Sequence, residues 1–438
     1  MKQSWKMVGT SALGNALEFY DFVICGVFIA KISEVFFPNT TPTIALFASI
    51  FAFSAAFFTR PLGAYVFGLI GDTFGRKVAL TYSVMLMGFP TLIISLLPGY
   101  KTIGVAAPII LVLCRMIQGL STGGEYNGAA IFAIEHGRSD KAGLISGIIA
   151  GSCMVGAVFA SFAGSLMLRP EMPDWAWRVP FLIGALVSFM GFVLRKNAKE
   201  TDAFIHIAEK KQQQKRPMKV IFQKHRGAFL MNIVVGIFKG SLTYTVFGFM
   251  NVYMTKFLGY DMSTAVLLNT FGLIGYTSGC TFFGWLSDKI TMRRSVYLSC
   301  FLCCSLSYLC FYLLQTQDLF LVGLGQYGVG LYVGSFVGLS HVYMQVLFPA
   351  ETRYTGVAVS FSIGIAISGG FMPSVYTFMT GYTGNLYMAA VIISIYAIIF
   401  TLISRVYRHK ATLYSPAPHY SEKDDKDNTQ EQTYQQIA

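Results

Sequence analysis

GLIGDTFGRK, Gly68 to Lys77, is the stretch on which the fold turns. It interrupts a chain that otherwise stays apolar over long blocks. It opens on glycine, places Asp72 four positions later and closes on Arg76 and Lys77. GWLSDKITMRR, Gly284 to Arg294, repeats the order: glycine, Asp288 four positions on, then Arg293 and Arg294. One charged turn used twice, each time between apolar blocks, points to a duplicated architecture.

The composition says where such a duplicate lives. Of 438 residues, 54% are hydrophobic and 12% charged, about half the roughly 25% that a soluble domain uses to cover its surface. About 20 apolar residues in helix cross a bilayer core, and on that criterion about twelve blocks qualify. They are 9–36, 43–70, 78–97, 103–132, 142–167, 176–194, 227–257, 264–287, 295–314, 319–347, 355–380 and 385–407. A membrane β-barrel would show short alternating strands instead. The first block is too long for a signal-peptide core and has no convincing cleavage site, so it reads as the first helix. Cys25, Cys114, Cys153, Cys280, Cys300, Cys303, Cys304 and Cys310 fall in or beside apolar blocks. Cys300, Cys303 and Cys304 have no His or acid alongside, so they read as buried thiols; no metal and no cofactor are expected.

The net charge of +12 is not a nucleic-acid footprint. Basic residues gather at Lys2 and Lys6, Arg76 and Lys77, Arg138 and Lys141, 195–226, Lys289 to Arg294, and Arg405 to Lys410, while the alternate loops are nearly bare. That is the positive-inside pattern, and it places both ends of the chain in the cytoplasm. Asn39-Thr40-Thr41 matches a glycosylation sequon by chance, in a very short loop. The segment 195–226 separates a first half, 1–194, from a second, 227–407, and reads as an amphipathic cytoplasmic linker. The polar tail, 408–438, reads as disordered. Internal repeats of this kind mark secondary transporters.

GLIGDTFGRK resembles the loop 2–3 signature of the major facilitator superfamily, Gly-x-x-x-Asp-x-x-Gly-Arg-Lys. RMIQGLSTGGEY, Arg115 to Tyr126, resembles that superfamily's helix 4 element Arg-x-x-Gln-Gly. Four further stretches resemble its metabolite:proton symporters: NALEFYDF (15–22), TRPLGAYVFG (59–68), GGEYNGAAIFAIEH (123–136) and WRVPFLIG (177–184). Relatives there carry proline and betaine, 2-oxoglutarate, citrate or shikimate. The resemblance implies a multi-pass transporter of a bacterial inner membrane. The short tail shows no heptads, unlike the coiled-coil extension of osmosensing relatives. Helix 5, GIIAGSCMVGA, lacks the Gly-Pro element of drug antiporters.

Charges inside the blocks carry the functional reading. At roughly 1.5 Å per residue, Glu18 and Asp21 lie about 14–18 Å along helix 1 and Arg115 about 17–21 Å along helix 4, all near the midplane. A charge left alone there costs at least ~3 kcal/mol. Ser11, Asn15, Glu18 and Phe22 share one face of helix 1, with Asp21 beside it; Arg115, Gln118, Thr122 and Glu125 share one face of helix 4. An acid with a movable Arg partner can alternate between ionised and protonated forms. The resemblance implies that Asp21 and Arg115 couple protons, with Glu18 as the alternative carrier. The competing reading is a static ion pair. Lys239, again at mid-depth, suits a substrate carboxylate, or else snorkels to an interface. Tyr244 and Asn251 share its helix face. Asn15, Tyr20 and Gln118 join this candidate binding set, and the resemblance, in which helices 1, 4, 7 and 10 line the cavity, adds Gln326 and Tyr327. Arg60 reads as a cap for carbonyls freed by Pro61, and His341 as a structural histidine rather than a pH switch.

The turn charges read as a gate. Asp72, Arg76 and Lys77, with Glu135 and Arg138, Asp288 and Arg293, and Glu351 and Arg353, form ion pairs able to latch the two halves on the inner side. No phosphate-binding loop, HExxH element or Ser-His-Asp grouping appears, so no enzyme is expected. The expected architecture is an all-α polytopic protein with twelve transmembrane helices in two pseudo-symmetric six-helix bundles. It would be a monomer in a lipid bilayer, importing a small carboxylate-bearing metabolite with protons and binding no nucleic acid. An uncoupled facilitator and an exporter remain open as alternatives.

Overall fold

The computed structural model describes residues 2–38, 42–169, 171–214, 216–316, 318–369, 371–408 and 414–415. The sequon Asn39-Thr40-Thr41 and most of the tail lie outside them. Every regular element described is helical: α1 (Lys2–Val27), α2 (Ile29–Phe36), α3 (Pro42–Thr73), α4 (Arg76–Leu96), α5 (Tyr100–Ile103), α6 (Ala106–His136), α7 (Ala142–Met167), α8 (Arg178–Lys196), α9 (Asp202–Glu209), α10 (Pro217–Lys224), α11 (Arg226–Tyr244), α12 (Met250–Val252), α13 (Met262–Ser287), α14 (Met292–Leu314), α15 (Leu319–Gln345), α16 (Arg353–Gly369), α17 (Met372–Thr383) and α18 (Met388–Arg408). Two π-helical turns, Thr245–Phe249 and Tyr253–Phe257, flank α12. Helices follow from the composition: hydrocarbon offers the backbone no water, so each segment must satisfy its own N–H and C=O groups. Among the described residues, 10 helical runs are long and apolar enough to cross a membrane. The remaining two apolar blocks are helical as well, in α1–α2 and α3. Many large apolar side chains point outward, among them Phe89, Phe159, Phe189 and Phe320, an arrangement suited to lipid and unsuited to water.

The chain forms two compact units, Met1–Ala133 with Ser152–Lys215, and Ile134–Gly151 with Arg216–Ala438. In the first, α3 and α6 meet backbone to backbone. A Cβ on Gly63 would lie 1.9 Å from the Leu120 carbonyl oxygen, and one on Gly123 would lie 2.1 Å from that of Arg60. Small residues drive helix association where lipid is as apolar as the side chains. The linker helix α9 belongs to this unit. The Thr201 hydroxyl accepts from the Phe204 N–H and caps it, and Ala203, Phe204 and Ile207 are buried, so its amphipathic face is packed as its sequence requires.

The second unit repeats the device between α13 and α15. A Cβ on Gly330 would lie 1.9 Å from the Gly272 carbonyl oxygen, and one on Gly275 would lie 2.1 Å from that of Tyr327. The segment Ile134–Gly151, the end of α6 and the start of α7, packs with this unit for the same reason. Gly147 sits against the Cys280 carbonyl, and Ser146 Oγ donates to the Gly338 carbonyl at 2.5 Å.

Candidate functional site

In the first unit, α1, α4 and α6 bring polar groups together inside apolar walls. Asp21 is buried, as are Asn15, Glu18, Arg115, Gln118 and Glu125. Asp21 and Arg115 are not in direct contact. They are joined by a relay: Arg115 Nη1 donates to Gln118 Oε1 at 2.8 Å, Gln118 Nε2 donates to Thr91 Oγ1 at 2.8 Å, and Thr91 Oγ1 reaches Asp21 Oδ2 at 3.1 Å. Arg115 also lies over the Phe22 ring, 5.8 Å from its centroid. The Thr91 hydroxyl has one proton and two acceptors in range, Asp21 and the Met87 carbonyl at 2.9 Å. It donates to an ionised Asp21. Towards a protonated Asp21 it can accept instead, turning its own proton to Met87. The relay is therefore satisfied in both states of the acid. Thr91, one residue after Pro90 in a helix with no charge at that depth, carries no sequence signal that singles it out.

Glu18 lies a turn from Asp21 on α1. Glu125, on the shared face of α6, pairs with Arg195 Nη1 at 2.7 Å, and the same nitrogen donates to the Leu80 carbonyl at 3.1 Å. Arg195 was counted above among the linker cations. It instead closes the last turn of α8 and is buried. Asn15 Nδ2 donates to Cys153 Sγ at 3.0 Å and to Ser152 Oγ at 3.3 Å, which ties α1 to α7. Tyr20 donates its hydroxyl proton to the Pro180 carbonyl at 2.9 Å, a packing contact. Arg60 lies over the Tyr126 ring at 5.9 Å.

In the second unit, Lys239 Nζ stands 3.3 Å from His341 Nε2. An ammonium only donates, so Nε2 accepts and the imidazole proton sits on Nδ1. The structural histidine is thus Lys239's own neighbour. Lys239 also lies over Phe361, 5.3 Å from the centroid. Both π turns follow this point, where Tyr244 packs on Gly369 and Asn251 is half-buried; π insertions recur at functional positions in helices. Gln326 reaches Met254 Sδ at 2.6 Å, and Tyr327 shares a hydrogen bond with Ser278 at 3.1 Å.

Asp72 and Arg76 pair as their spacing suggests, and the other gate residues find different partners. Asp72 and Arg76 approach to 3.5 Å, both fully buried, and Arg76 Nη1 also donates to the Gly71 carbonyl at 2.7 Å. The Lys77 backbone N–H donates to Glu200, 3.1 Å to Oε2. Arg353 pairs with Glu135 at 3.1 Å rather than with Glu351, and donates to the Ser415 carbonyl at 2.5 Å. Arg138 holds the exposed Asp140 bidentately rather than Glu135. Asp288 does not pair with Arg293, which lies over Tyr297. Its carboxylate accepts the backbone N–H groups of Gly143 at 2.7 Å and Leu144 at 2.8 Å, the exposed donors at the start of α7. Burial pushes the Asp288 carboxyl up to about 6, against the pull of those two N–H groups. For Arg353 and Asp288 the partner comes from another helix, a carboxylate in one case and the start of α7 in the other, whereas Arg138 takes an acid two residues along its own loop. Among the described residues no group of three His, Cys, Asp or Glu is placed to hold a metal ion.

Comparison with known proteins bears on this arrangement. The family model described as Major Facilitator Superfamily matches residues 12–373. The chain is 31% identical over 408 residues to the proline/betaine transporter of Salmonella typhimurium, covering 90% of this chain and 81% of that one. It is also 31% identical over 408 residues to the glycine betaine/proline/ectoine/pipecolic acid transporter OusA of Dickeya dadantii, with the same coverage. Among solved structures, the proton:xylose symporter XylE bound to 6-bromo-6-deoxy-D-glucose superposes with a TM-score of 0.73 at 13% identity, covering 95% of this chain and 97% of that one; at that identity the likeness speaks for the fold. The helical membrane architecture, the duplicated turn and the match over most of its length make the chain a transporter, and it belongs to the Major Facilitator Superfamily.

Proposed function

We propose that the protein imports a small carboxylate-bearing metabolite together with protons, by alternating access of two six-helix halves, 1–194 and 227–407, in a bacterial inner membrane. The observation that carries this reading is the buried relay from Asp21 through Thr91 and Gln118 to Arg115. A buried carboxylate held by the hydroxyls of Thr91 and Ser188, with no cation in direct contact, is poised to take a proton, and the relay gives Arg115 a way to respond when it does. Lys239 supplies the positive charge for the solute's carboxylate, with Tyr244, Asn251, Gln326 and Tyr327 as the neighbouring polar groups. The relatives named for proline and betaine favour a zwitterion.

Twelve spans, a monomer and cytoplasmic ends complete the proposal. On this reading the inner gate comprises Glu135–Arg353, Asp288 on the start of α7, and Asp72–Arg76 with Lys77. Arg138, Arg293 and Glu351 are peripheral to it.

The test is alkalinisation of the medium by de-energised cells overproducing the protein, with proline, glycine betaine, other amino acids and di- and tricarboxylates added singly. One solute should raise external pH, and Asp21→Asn should abolish the rise. Uptake without a pH change would instead make the protein a facilitator.

A further inference from the structure

We propose that Glu18, Glu125 and Arg195 form a second proton-binding site, which passes a proton from Glu18 to Glu125, towards the inner end of the first unit. This rests on the reading of the protein as a proton-coupled carrier. Glu18 is 2% exposed, and neither of its carboxyl oxygens has a hydrogen-bond partner. It borders a small cavity shared with Gly14, Met87, Glu125 and Ser188, with room for about one water. Across that cavity Glu125 Oε1 accepts from Arg195 at 2.7 Å, and the neutral Ser83 hydroxyl of α4 is the other polar group beside this carboxylate. Two carboxylates against Arg195 leave one negative charge at the cavity, and the further cation near Glu18, Arg60, lies over the Tyr126 ring. A buried carboxylate without hydrogen bonds neutralises rather than stays charged, and one proton on the pair does this.

Gly14 gives the site its moving part. A Cβ there would lie 1.8 Å from Arg195 Nη2, so the guanidinium rests directly on α1, one turn before Glu18. Arg195 can therefore serve either acid. With Arg195 on Glu125, Glu18 keeps the proton. When the guanidinium swings to Glu18, the O–H bond on Glu18 breaks and one forms on Glu125, relayed by a single water of the size the cavity admits, with no change in net charge. The other electrostatic neighbour of Glu18 is Arg60 from α3. The cavity walls from α4 and α8, Val84, Met87, Ser188 and Gly191, bring no charge.

Direction follows from chain order. With α1 entering from the inner side, Glu18 lies one turn inward of Asp21. On α6, Glu125 lies about 15 Å inward of Arg115, and Arg195 is in the last turn of α8.

Infrared difference spectra of the full chain in lipid, taken across a pH titration, read buried protonated carboxyls directly. The site predicts a carbonyl band that is lost in Glu18→Gln and shifted in both Glu125→Gln and Gly14→Ala, and that is indifferent to replacing choline with sodium. An unchanged band in Glu18→Gln, or its displacement by sodium, overturns the assignment. In proteoliposomes with a trapped pH dye and proline or glycine betaine as probe, Glu125→Gln should keep probe exchange and lose proton delivery to the lumen. Proton delivery at the wild-type rate by Glu125→Gln overturns the exit route alone. Probe flux without protons in the wild-type protein overturns the symport reading beneath it. If neither probe is carried, the infrared titration alone decides the site.

Discussion

Replacing Thr91 by valine removes one hydroxyl from the centre of the relay at almost constant shape. Two bonds go with it: the one to Asp21 Oδ2 at 3.1 Å and the one accepted from Gln118 at 2.8 Å. A hydrogen bond to a charged group contributes about 1.5–3 kcal/mol net. The protonated form loses a neutral bond of about 0.5–1.5 kcal/mol in the same substitution, so the ionised form of Asp21 is disfavoured by the difference, about 1–1.5 kcal/mol, and at 1.36 kcal/mol per factor of ten its deprotonation becomes roughly 5- to 10-fold less favourable. Transport steps that need Asp21 to release its proton slow accordingly. Exchange of labelled solute across the membrane, which can proceed with the proton still bound, does not. The assay compares proline or glycine betaine accumulation driven by an imposed pH gradient with equilibrium exchange, in the same proteoliposomes. Thr91→Val should lose most gradient-driven accumulation and keep exchange, while Thr91→Ser, which restores the hydroxyl, should recover both. If Thr91→Val accumulates solute as the wild-type protein does, the relay does not couple protons. If Thr91→Ser fails as badly as Thr91→Val, the methyl group's packing matters and the hydroxyl does not.

Arg353→Met should destabilise the protein by about 3–5 kcal/mol, because it strands a fully buried carboxylate; adding Glu135→Met should recover part of the loss, as read by thermal unfolding in detergent. Gly63→Ala should cost about 1–3 kcal/mol in the same measurement, since its Cβ meets the α6 backbone and no side chain can move aside. Asp288 is held in the folded protein at about 6, above its ordinary 3.8. Its stabilising contribution is complete below the lower value and is lost as pH rises through the upper one. Asp288→Asn should therefore flatten the decline in melting temperature across that window, and an unaltered decline would assign it to another group.

Part of the candidate site is legible in the sequence because charge inside hydrocarbon is costly wherever it occurs. Depth along a helix is enough to find Glu18, Asp21, Arg115 and Lys239. Their partners are not legible. Thr91 is invisible because a threonine in an apolar helix costs little and signals nothing. Arg195 is misplaced because a cation at the end of an apolar block satisfies the positive-inside rule equally well in a loop or folded back onto Glu125, 70 residues away. His341 and Lys239 are separated by 102 residues, and only the packing of α11 against α15 makes them neighbours.

The sequence by itself determined that the chain is helical and lies in a membrane, because the length and composition of its blocks leave the backbone no other way to satisfy its polar groups. It also determined the duplication, because the same charged turn follows the same glycine twice. Tertiary structure decided who pairs with whom. Arg353 takes Glu135, and Asp288 takes the start of α7. Arg115 reaches Asp21 only through Gln118 and Thr91. Each of these choices depends on how closely two helices approach and at what register. Glycine-to-backbone contacts set that approach in three dimensions, and no local pattern along the chain records it.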